Sequence, residues 1–370
     1  MVVGAGVFGA ALADRLAGEG FGVTLVEREE PGHPGAESGA ESRLIRFSHG
    51  PDEQYTRSAW RARELWLELA EELDRELLVR SGVHWFAQRP DGWEAESERV
   101  LRKQGIPVER VRPSEGAHAF PSLRYDDLAF LLVEPDAGVL RAAAATRALV
   151  ERAVRRGARL IHGEGRPDGE TVLVEDRRLE ADLVVWSCGA WLAKLFPGLV
   201  ELRVTRQDVL FFQVPLEWRT PPLPGFVDYD SGAYGNGALD GHGMKVALDV
   251  DGPKVNPDRR PESATKKSTR VAAAYLKRRF PVLAGEVERS KVCHYSTTED
   301  LSFILDRHPE HERVWIAGGG SGHGFKHGPA FAERAVAVMT GRAAPEPRFM
   351  LGSRTPGHSL RTAGWVRTSG

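Results

Sequence analysis

The sequence predicts an α/β fold in which a parallel-sheet domain is interleaved with an antiparallel α+β domain. The first observation is a set of three short apolar strands, each running into glycines and lying far apart in the chain: residues 2–3, 182–186 and 314–317. One sheet must then be assembled from separated segments. The second observation is that residues 79–133 and 206–292 mix short strands with Pro- and Gly-rich turns. A second domain is therefore expected to be inserted twice into the first.

The composition sets the broad class of protein. With 370 residues, 41% hydrophobic and 28% charged, the chain is long enough and apolar enough to bury the core of two or three domains. The formal charge of −2 gives no net field that would attract nucleic acid or a membrane surface, and no apolar run reaches the ~18 residues of a membrane span. The only cysteines, Cys188 and Cys293, argue against a disulfide framework, so a cytoplasmic protein is expected.

The first strand leads into a dinucleotide-binding motif. Gly4-x-Gly6-x-x-Gly9 is followed by an Ala/Leu-rich stretch and a second strand that ends at Glu27. The glycines permit a tight turn and bring the backbone close to a pyrophosphate, whose charge is stabilised by the helix N-terminus. Glu27, 18 residues after Gly9, is placed to accept hydrogen bonds from an adenosine ribose. The motif predicts a Rossmann-type domain but does not distinguish NAD from FAD.

Periodicity and length predict the elements around this motif. A strand that begins at Met1 is shorter than the usual ~5–6 residues, so we expect it to be clipped or the natural start to lie a few residues upstream. Apolar residues at helical spacing among Glu and Arg predict an amphipathic scaffold helix over residues 55–77. Another helix is expected near residues 264–280, and the tail from about residue 352, which has no periodicity, is expected to fray.

Four further features of the sequence belong together. They are residues 41–46 (ESRLIR), the pair Tyr234 and Lys245, Cys293 followed by Tyr295, and residues 321–326 (SGHGFK). Together they resemble the monomeric sarcosine oxidase family, whose relatives include N-methyltryptophan oxidase and other flavin-dependent amine and amino-acid oxidases of the D-amino-acid oxidase superfamily. The likeness runs over most of the chain. Its specific part is SGHGFK with a cysteine 33 residues before its lysine.

The resemblance implies a domain organisation. A Rossmann-type FAD-binding domain would comprise residues 1–78, 134–205 and 293–370, and an interleaved antiparallel-sheet substrate-binding domain residues 79–133 and 206–292. The active site would lie between the two domains. A monomer or a small homo-oligomer is expected, with no nucleic-acid or membrane partner.

The resemblance also implies a reaction. A secondary or cyclic amino acid, of N-methyl or imino-acid type, would give a hydride from the carbon next to nitrogen to flavin N5, leaving an imine, and O2 would be reduced to H2O2. Two alternatives stay open at this point. One is a dehydrogenase of the same fold that uses another electron acceptor, and the other is a non-catalytic FAD-binding subunit.

The two cysteines receive different roles. In that family FAD is attached through its 8-methyl group to the matching cysteine, which nominates Cys293; the alternative is a buried, inert cysteine. Cys188, at a strand end beside Gly189, is assigned the inert role. The motifs and the resemblance together nominate further FAD contacts: Arg28, Ser42, Arg43, Gly189, Gly319, Gly322, His323, Gly324 and Lys326.

The resemblance assigns a carboxylate anchor to Arg46 and Lys326. A guanidinium offers a bidentate fork and an ammonium adds a point charge, so that a small anionic substrate binds in one orientation. Lysine is also scarcer than arginine in this chain, and Lys326 lies inside a glycine-rich apolar segment. For Arg43 a flavin-contacting or electrostatic role is expected.

Three residues are candidates for catalysis. Tyr234 is followed eleven residues later by Lys245, a spacing that matches family positions where a lysine faces the flavin and assists oxygen; the alternative is a solvated lysine on a strand. Asp249, fifteen residues after the tyrosine, stands where close relatives place a histidine. A carboxylate there would either favour a cationic amine or accept its proton.

No metal site is expected from the histidine spacing. His323 and His327 are four apart, but Gly324 lies between them and no acid occupies the HExxH position. Pro329 is expected to be the first residue of a closing helix that extends to Met339. Its N-terminus would favour negative charge on the flavin.

Overall fold

The computed structural model describes residues 1–120, 122–250, 252–259, 262–283, 285–352 and 354. Most of the tail that the sequence predicts to fray lies outside these ranges. The α-helices are α1 (Val7–Gly18), α2 (Glu53–Glu72), α3 (Trp93–Lys103), α4 (Pro113–Ala119), α5 (Ala142–Arg155), α6 (Leu192–Leu195), α7 (Lys266–Arg279) and α8 (Gly328–Met339).

The described strands form four sheets. They are β1 (Val2–Val3), β2 (Thr24–Glu27), β3 (Ser42–Ile45), β4 (Leu78–Val79), β5 (Val83–Ala87), β6 (Glu109–Val111), β7 (Phe130–Glu134), β8 (Gly138–Arg141), β9 (Arg159–His162), β10 (Gly165–Asp168), β11 (Thr171–Val174), β12 (Arg177–Leu179), β13 (Val184–Trp186), β14 (Arg203–Phe212), β15 (Gly225–Asp228), β16 (Ala233–Asn236), β17 (Met244–Leu248), β18 (Val287–Thr297), β19 (Ile304–Arg307) and β20 (Val314–Gly318).

The parallel sheet has six strands in the order β19-β20-β13-β1-β2-β9. Only its edge strand β19 pairs antiparallel. The two-residue strand β1 lies inside the sheet, where Val2 pairs with Val185 on one side and with Leu25 on the other. The three strand-to-glycine segments therefore meet in one sheet, as predicted. Helix α1 packs against both α5 and α8.

The largest sheet has eight strands in the order β18-β14-β17-β16-β15-β5-β7-β6. Its neighbours pair antiparallel except β5 and β15, which run parallel. The strands come from residues 83–134 and 203–297, which alternate along the chain with the strands of the parallel sheet. The predicted α/β class, with a second antiparallel sheet, is confirmed.

Helix α2 is the predicted amphipathic helix, but it ends earlier than expected. Asp52 caps it by accepting a 2.9 Å hydrogen bond from the amide of Tyr55. Its C-terminal cap is Leu73, and the chain then turns at Asp74, whose φ is +51°. Leu77 is buried just before β4. The predicted extension of the helix to Leu77 is therefore wrong. Leu77 is buried because it leads into β4, not because it lies on the apolar face of α2.

The three largest apolar clusters of the described residues lie between these layers. The first lies between the parallel sheet and helices α1, α2, α5 and α8. The second lies between the eight-stranded sheet and α7. The third lies between the parallel sheet and the small sheet β10-β11-β12. Among the described helices, none is both long and apolar enough to cross a bilayer.

Candidate active site

The turn between β1 and α1 brings the backbone close to any ligand beside it. Gly4 has φ of +97°, which residues with side chains rarely adopt, and a Cβ there would lie 2.6 Å from the carbonyl oxygen of Ser187. A Cβ on Gly9 would lie 1.8 Å from the carbonyl oxygen of Gly4, so α1 packs onto the turn only with glycine there. Gly6 precedes α1 without a side-chain cap, which suits a helix N-terminus that binds phosphate.

A large groove runs from this turn along the carboxyl ends of the central parallel strands. It encloses about 1380 Å³ of space, counting its open mouth, and ligands of open α/β sheets bind at this edge. Gly9, Ser42 and Cys293 are not among its described lining residues, and His323 and Lys326 line the neighbouring cavity. The predicted FAD contacts that line the groove are Gly4, Gly6, Glu27, Arg28, Arg43, Gly189, Gly319, Gly322 and Gly324.

Glu27 lies at the end of β2 beside the glycine turn. Its carboxylate accepts hydrogen bonds from the amides of Ala5 (2.5 Å) and Glu29 (2.9 Å). The guanidinium of Arg28 lies 4.9 Å from the ring centroid of Trp191, which also lines the groove. This end of the groove therefore offers a carboxylate and a cation–aromatic pair.

A second cavity of about 590 Å³ adjoins the groove. The predicted residues that line it are Arg46, Tyr234, Asp249, His323 and Lys326. Four residues line both spaces: Arg43, Tyr295, Gly322 and Phe325. A ligand in the groove and a second ligand in the cavity would therefore meet at this junction, which we call the Arg43 junction.

Arg46 and Lys326 bring two cations to the second cavity. The guanidinium of Arg46 donates a 2.7 Å hydrogen bond to the carbonyl oxygen of Ser48 and lies 4.9 Å from the ring centroid of Trp85. Lys326 is 3% exposed, and its ammonium donates a 3.0 Å hydrogen bond to the carbonyl oxygen of His323. These contacts orient both cations, which suits them to bind an anion in one orientation.

The same cavity contains phenols and a carboxylate. The hydroxyl oxygens of Tyr234 and Tyr295 lie 3.2 Å apart, and burial raises the pKa of Tyr234, so its phenol stays neutral. Asp249 follows β17 and is held by a 2.8 Å hydrogen bond from its amide to the carbonyl oxygen of Gly232. The cavity therefore offers groups of both charges to a ligand.

Lys245 lies on β17 and is 2% exposed. Its ammonium donates a 2.8 Å hydrogen bond to the carbonyl oxygen of Ser42 on β3, and it lies 5.7 Å from the ring centroid of Tyr234. Burial, followed by the charge of Arg43, lowers the pKa of Lys245 to about 7. It is not among the described residues that line either space.

Cys293 and Cys188 have different surroundings. Cys293 is 7% exposed on β18, opposite Gln207 of β14. Its side chain interacts electrostatically with the cations of Arg43, Lys245 and Lys291.

Cys188 lines the groove, and its thiol donates to the carbonyl oxygen of Val3 at 3.4 Å. Burial and the charge of Glu27 raise the pKa of this thiol to about 12. Cys188 therefore stays protonated, in keeping with the inert role expected for it, whereas cations surround Cys293.

Two residues at the site carry no sequence motif. Glu37 lines the groove, accepts hydrogen bonds from the amide (2.8 Å) and hydroxyl (3.0 Å) of Ser296, and has its pKa raised to about 7 by burial. His49 lies with its ring centroid 5.2 Å from that of His327. Burial, and next the charge of Lys326, lower the pKa of both histidines far below the usual value. Neither position follows a helix or strand pattern, so only the fold reveals them.

Comparison with known proteins identifies sequence relatives. The family model described as FAD dependent oxidoreductase matches residues 1–338. Monomeric sarcosine oxidase of a Bacillus species is 31% identical over 349 residues, which cover 90% of each chain. N-methyl-L-tryptophan oxidase of Salmonella arizonae is 27% identical over 351 residues, which cover 91% of this chain and 93% of the relative.

Solved structures share the fold. L-proline dehydrogenase from P. horikoshii superposes with a TM-score of 0.81 at 22% identity, over 93% of each chain. Iminodiacetate oxidase from a Chelativorans species superposes with a TM-score of 0.76 at 21% identity, over 94% of this chain and 96% of the other. The resemblance that the sequence predicts is confirmed by the family match and the sequence relatives, and the chain belongs to the family of FAD-dependent oxidoreductases.

Proposed function

We propose that this enzyme is an amino-acid oxidase that acts on the carbon next to nitrogen in a secondary or cyclic amino acid and reduces O2 to H2O2. The observation that carries the proposal is the Arg43 junction, where a dinucleotide groove meets a smaller cavity lined by Arg46 and Lys326. The sarcosine and N-methyltryptophan oxidases among the relatives support this class of substrate.

The residues of the groove fit FAD. A Cβ at Gly4 or Gly9 would collide with a backbone carbonyl oxygen, so only glycine admits this tight turn before α1, the kind of turn that binds a pyrophosphate at a helix N-terminus. Glu27 would accept from the ribose hydroxyls, as the motif predicts. Bound FAD would accept a hydride from the substrate carbon and would pass the two electrons to O2, which with two protons becomes H2O2. We also propose that the parallel-sheet segments predicted from the sequence form the FAD domain and that the eight-stranded sheet forms the substrate domain.

Cys293 is proposed as the point of covalent FAD attachment. Cys293 is buried on β18, and the next three residues along that strand line the groove. Its side chain interacts with the cations of Arg43, Lys245 and Lys291. The thiol of Cys188, in contrast, has its pKa raised to about 12 by burial and by the charge of Glu27, so it lacks the reactive thiolate form.

Arg46 and Lys326 are proposed to bind the substrate carboxylate. Both line the same cavity, and Lys326 is almost fully buried, so that little water screens its charge. Holding the carboxylate there fixes which end of the substrate faces the Arg43 junction. Asp249, on the same cavity, is proposed to hold the cationic amine until it loses its proton, and Tyr234 to form part of the wall beside it.

Lys245 is proposed to assist oxygen. A fixed cation in a site that excludes bulk water stabilises negative charge as it develops on a reacting oxygen. The ammonium is tied to Ser42, whose neighbour Arg43 lines both the groove and the cavity. This placement favours an oxidase over a dehydrogenase that passes electrons to another acceptor. The two cations of the second cavity, Arg46 and Lys326, favour an enzyme over a non-catalytic subunit. We propose a cytoplasmic monomer or small homo-oligomer.

A peroxide assay tests the proposal. Flavin-loaded enzyme would be incubated in air with N-methyl, cyclic and aromatic amino acids, and with matched amines that lack the carboxylate. We expect H2O2 in a fixed ratio to substrate consumed, and only with the carboxylates. Flavin bleaching without peroxide would instead indicate a dehydrogenase, and the absence of bleaching with every member of the panel would indicate a binding subunit.

A further inference from the structure

Three histidines from two distant segments meet beside the second cavity. They are His49, in the connection between β3 and α2, and His323 and His327, which precede α8. One nitrogen of each ring lies within 4.8 Å of the corresponding nitrogens of the other two. The ring centroids are 5.2 to 6.2 Å apart. The three nitrogens therefore surround a single point.

Hydrogen bonds on the far side of each ring fix how the rings are oriented. Nδ1 of His49 lies 2.9 Å from the carbonyl oxygen of Phe47, and Nε2 of His323 lies 3.0 Å from that of Leu301. A carbonyl oxygen only accepts, so these nitrogens carry the hydrogen, and in a neutral ring the opposite nitrogen is then the one with a lone pair. Metal-binding histidines show this arrangement, in which the second nitrogen donates to a carbonyl or similar group.

The third ring is hydrogen-bonded to a serine hydroxyl, which can donate or accept. Nδ1 of His327 lies 2.9 Å from the hydroxyl of Ser58. Nε2 of His327 and Nε2 of His49 are buried and have no hydrogen-bond partner among the residues that the structure describes. Burying polar atoms in this way costs free energy unless something occupies the space between them.

The walls around the cluster are aromatic. The ring of Tyr55 lies 4.9 Å from His323 and 5.3 Å from His327, and that of Phe303 lies 5.0 Å and 5.4 Å from the same two rings. His323 also lines the second cavity. An occupant could therefore enter from that cavity, and the aromatic rings would shield it on the other sides.

We propose that His49, His323 and His327 form a binding site for one transition-metal ion of the zinc class. Three imidazole nitrogens suit Zn²⁺, Ni²⁺, Co²⁺ or Cu²⁺ and leave a position open for water, whereas Ca²⁺ and Mg²⁺ require oxygen ligands. Zinc–nitrogen bonds of about 2.0–2.1 Å require the nitrogens to come within about 3.4 Å of one another, so the side chains must move inward by roughly an ångström. The ammonium of Lys326 opposes any cation here, which restricts the site to ions that bind imidazole tightly.

Zinc binding by the full-length flavin-loaded enzyme tests the site. The enzyme would be stripped with a chelator and dialysed against Zn²⁺, bound zinc would be counted by elemental analysis, and affinity would be measured by competition with a chromophoric chelator. His49→Phe and His327→Phe replace a ligand by a ring of similar size. The control is His311→Asn, because His311 forms a separate histidine pair with His308 at 4.5 Å between ring centroids.

We expect one zinc ion per wild-type chain, an affinity at least about tenfold weaker in either phenylalanine variant, and wild-type binding in His311→Asn. Binding that is lost in His311→Asn and kept in the phenylalanine variants would overturn the proposal, as would a wild-type enzyme that takes up no zinc, because water would then fill the cluster. If a phenylalanine variant does not fold, thermal unfolding of the proteins that do fold is the test. Zn²⁺ but not Mg²⁺ should raise the Tm of the wild-type enzyme and of His311→Asn. An unchanged Tm would refute the site.

Discussion

The ammonium of Lys245 donates a 2.8 Å hydrogen bond to the carbonyl oxygen of Ser42, and this bond ties the eight-stranded sheet to β3 next to Arg43. The charge of Arg43 is the second cause, after burial, of the lowered pKa of Lys245. The protonation of Lys245 therefore depends on what binds beside Arg43. An anion at the Arg43 junction would offset the guanidinium charge and raise the pKa of the lysine.

Lys245→Met should separate the two half-reactions. Without the ammonium, reoxidation by O2 should slow by roughly 10²-fold, while anaerobic reduction by substrate should change far less. Because the pKa of Lys245 is lowered to about 7, the wild-type reoxidation rate should fall as pH rises through that value and the ammonium is lost. The variant should show no such fall. Stopped-flow measurement of each half-reaction checks both points.

Lys291→Met is the matched control for this experiment. Lys291 lies on β18 and also interacts with the charge of Cys293, but its ammonium donates to the carbonyl oxygen of Gly39. Its removal should leave reoxidation within about threefold of wild type, since the charge is directed elsewhere. Equal effects of the two variants would mean that overall positive charge matters and that Lys245 has no special position.

Cys293→Ala should release the flavin. Acid-precipitated wild-type protein should be yellow, whereas the variant should leave its colour in the supernatant, because no other thiol near the groove is nucleophilic. Cys188→Ala is the control, since that thiol lines the groove but has its pKa raised to about 12. A colourless wild-type pellet after full loading with FAD would contradict covalent attachment.

Arg46→Met and Lys326→Met should each weaken the handling of carboxylates. Each substitution removes a charge-assisted interaction of ~1.5–3 kcal/mol, so kcat/KM should fall by at least about tenfold for an amino acid. An amine of the same shape without the carboxylate should lose much less. If both substrates lose equally, the cations serve the fold or the flavin instead.

Asp249→Asn should distinguish two roles for that carboxylate. If Asp249 holds the cationic amine, the variant should bind substrate more weakly while the pH profile of flavin reduction keeps its shape. If Asp249 accepts the proton, one ionisation step should disappear from that profile. We expect the first result, because Asp249 lines the same cavity as Arg46 and Lys326, which are proposed to hold the other end of the substrate. No change in either measurement would remove Asp249 from the reaction.

Local patterns in the sequence predict much of the fold and parts of the site. The glycine pattern predicts a tight turn, and the structure shows why Gly4 and Gly9 are needed there: a Cβ at either position would collide with a backbone carbonyl oxygen. Leu77 shows the limit, since a buried leucine at helical spacing also fits the start of a strand.

Other residues reach the site only through contacts between segments that are far apart in the chain, and local sequence patterns do not predict them. His49 and Glu37 lie in irregular connections, where burial depends on segments far away in the chain. The close approach of Lys245 to Ser42 likewise joins strands of two different sheets. No local pattern encodes these contacts.

The position of β1 has a consequence for how the protein is made. Its neighbours in the sheet are β2 and β13, and β20 lies beyond β13. A ribosome delivers the glycine turn first, but strands that form the floor of the groove emerge only with Trp186 and Gly318. Pairings over such separations form late in folding. The nascent chain can pair β1 with β2 early, but the other side of β1 stays uncovered until β13 has been made, and β20 joins the sheet later still. We therefore expect FAD to load only after synthesis is nearly finished.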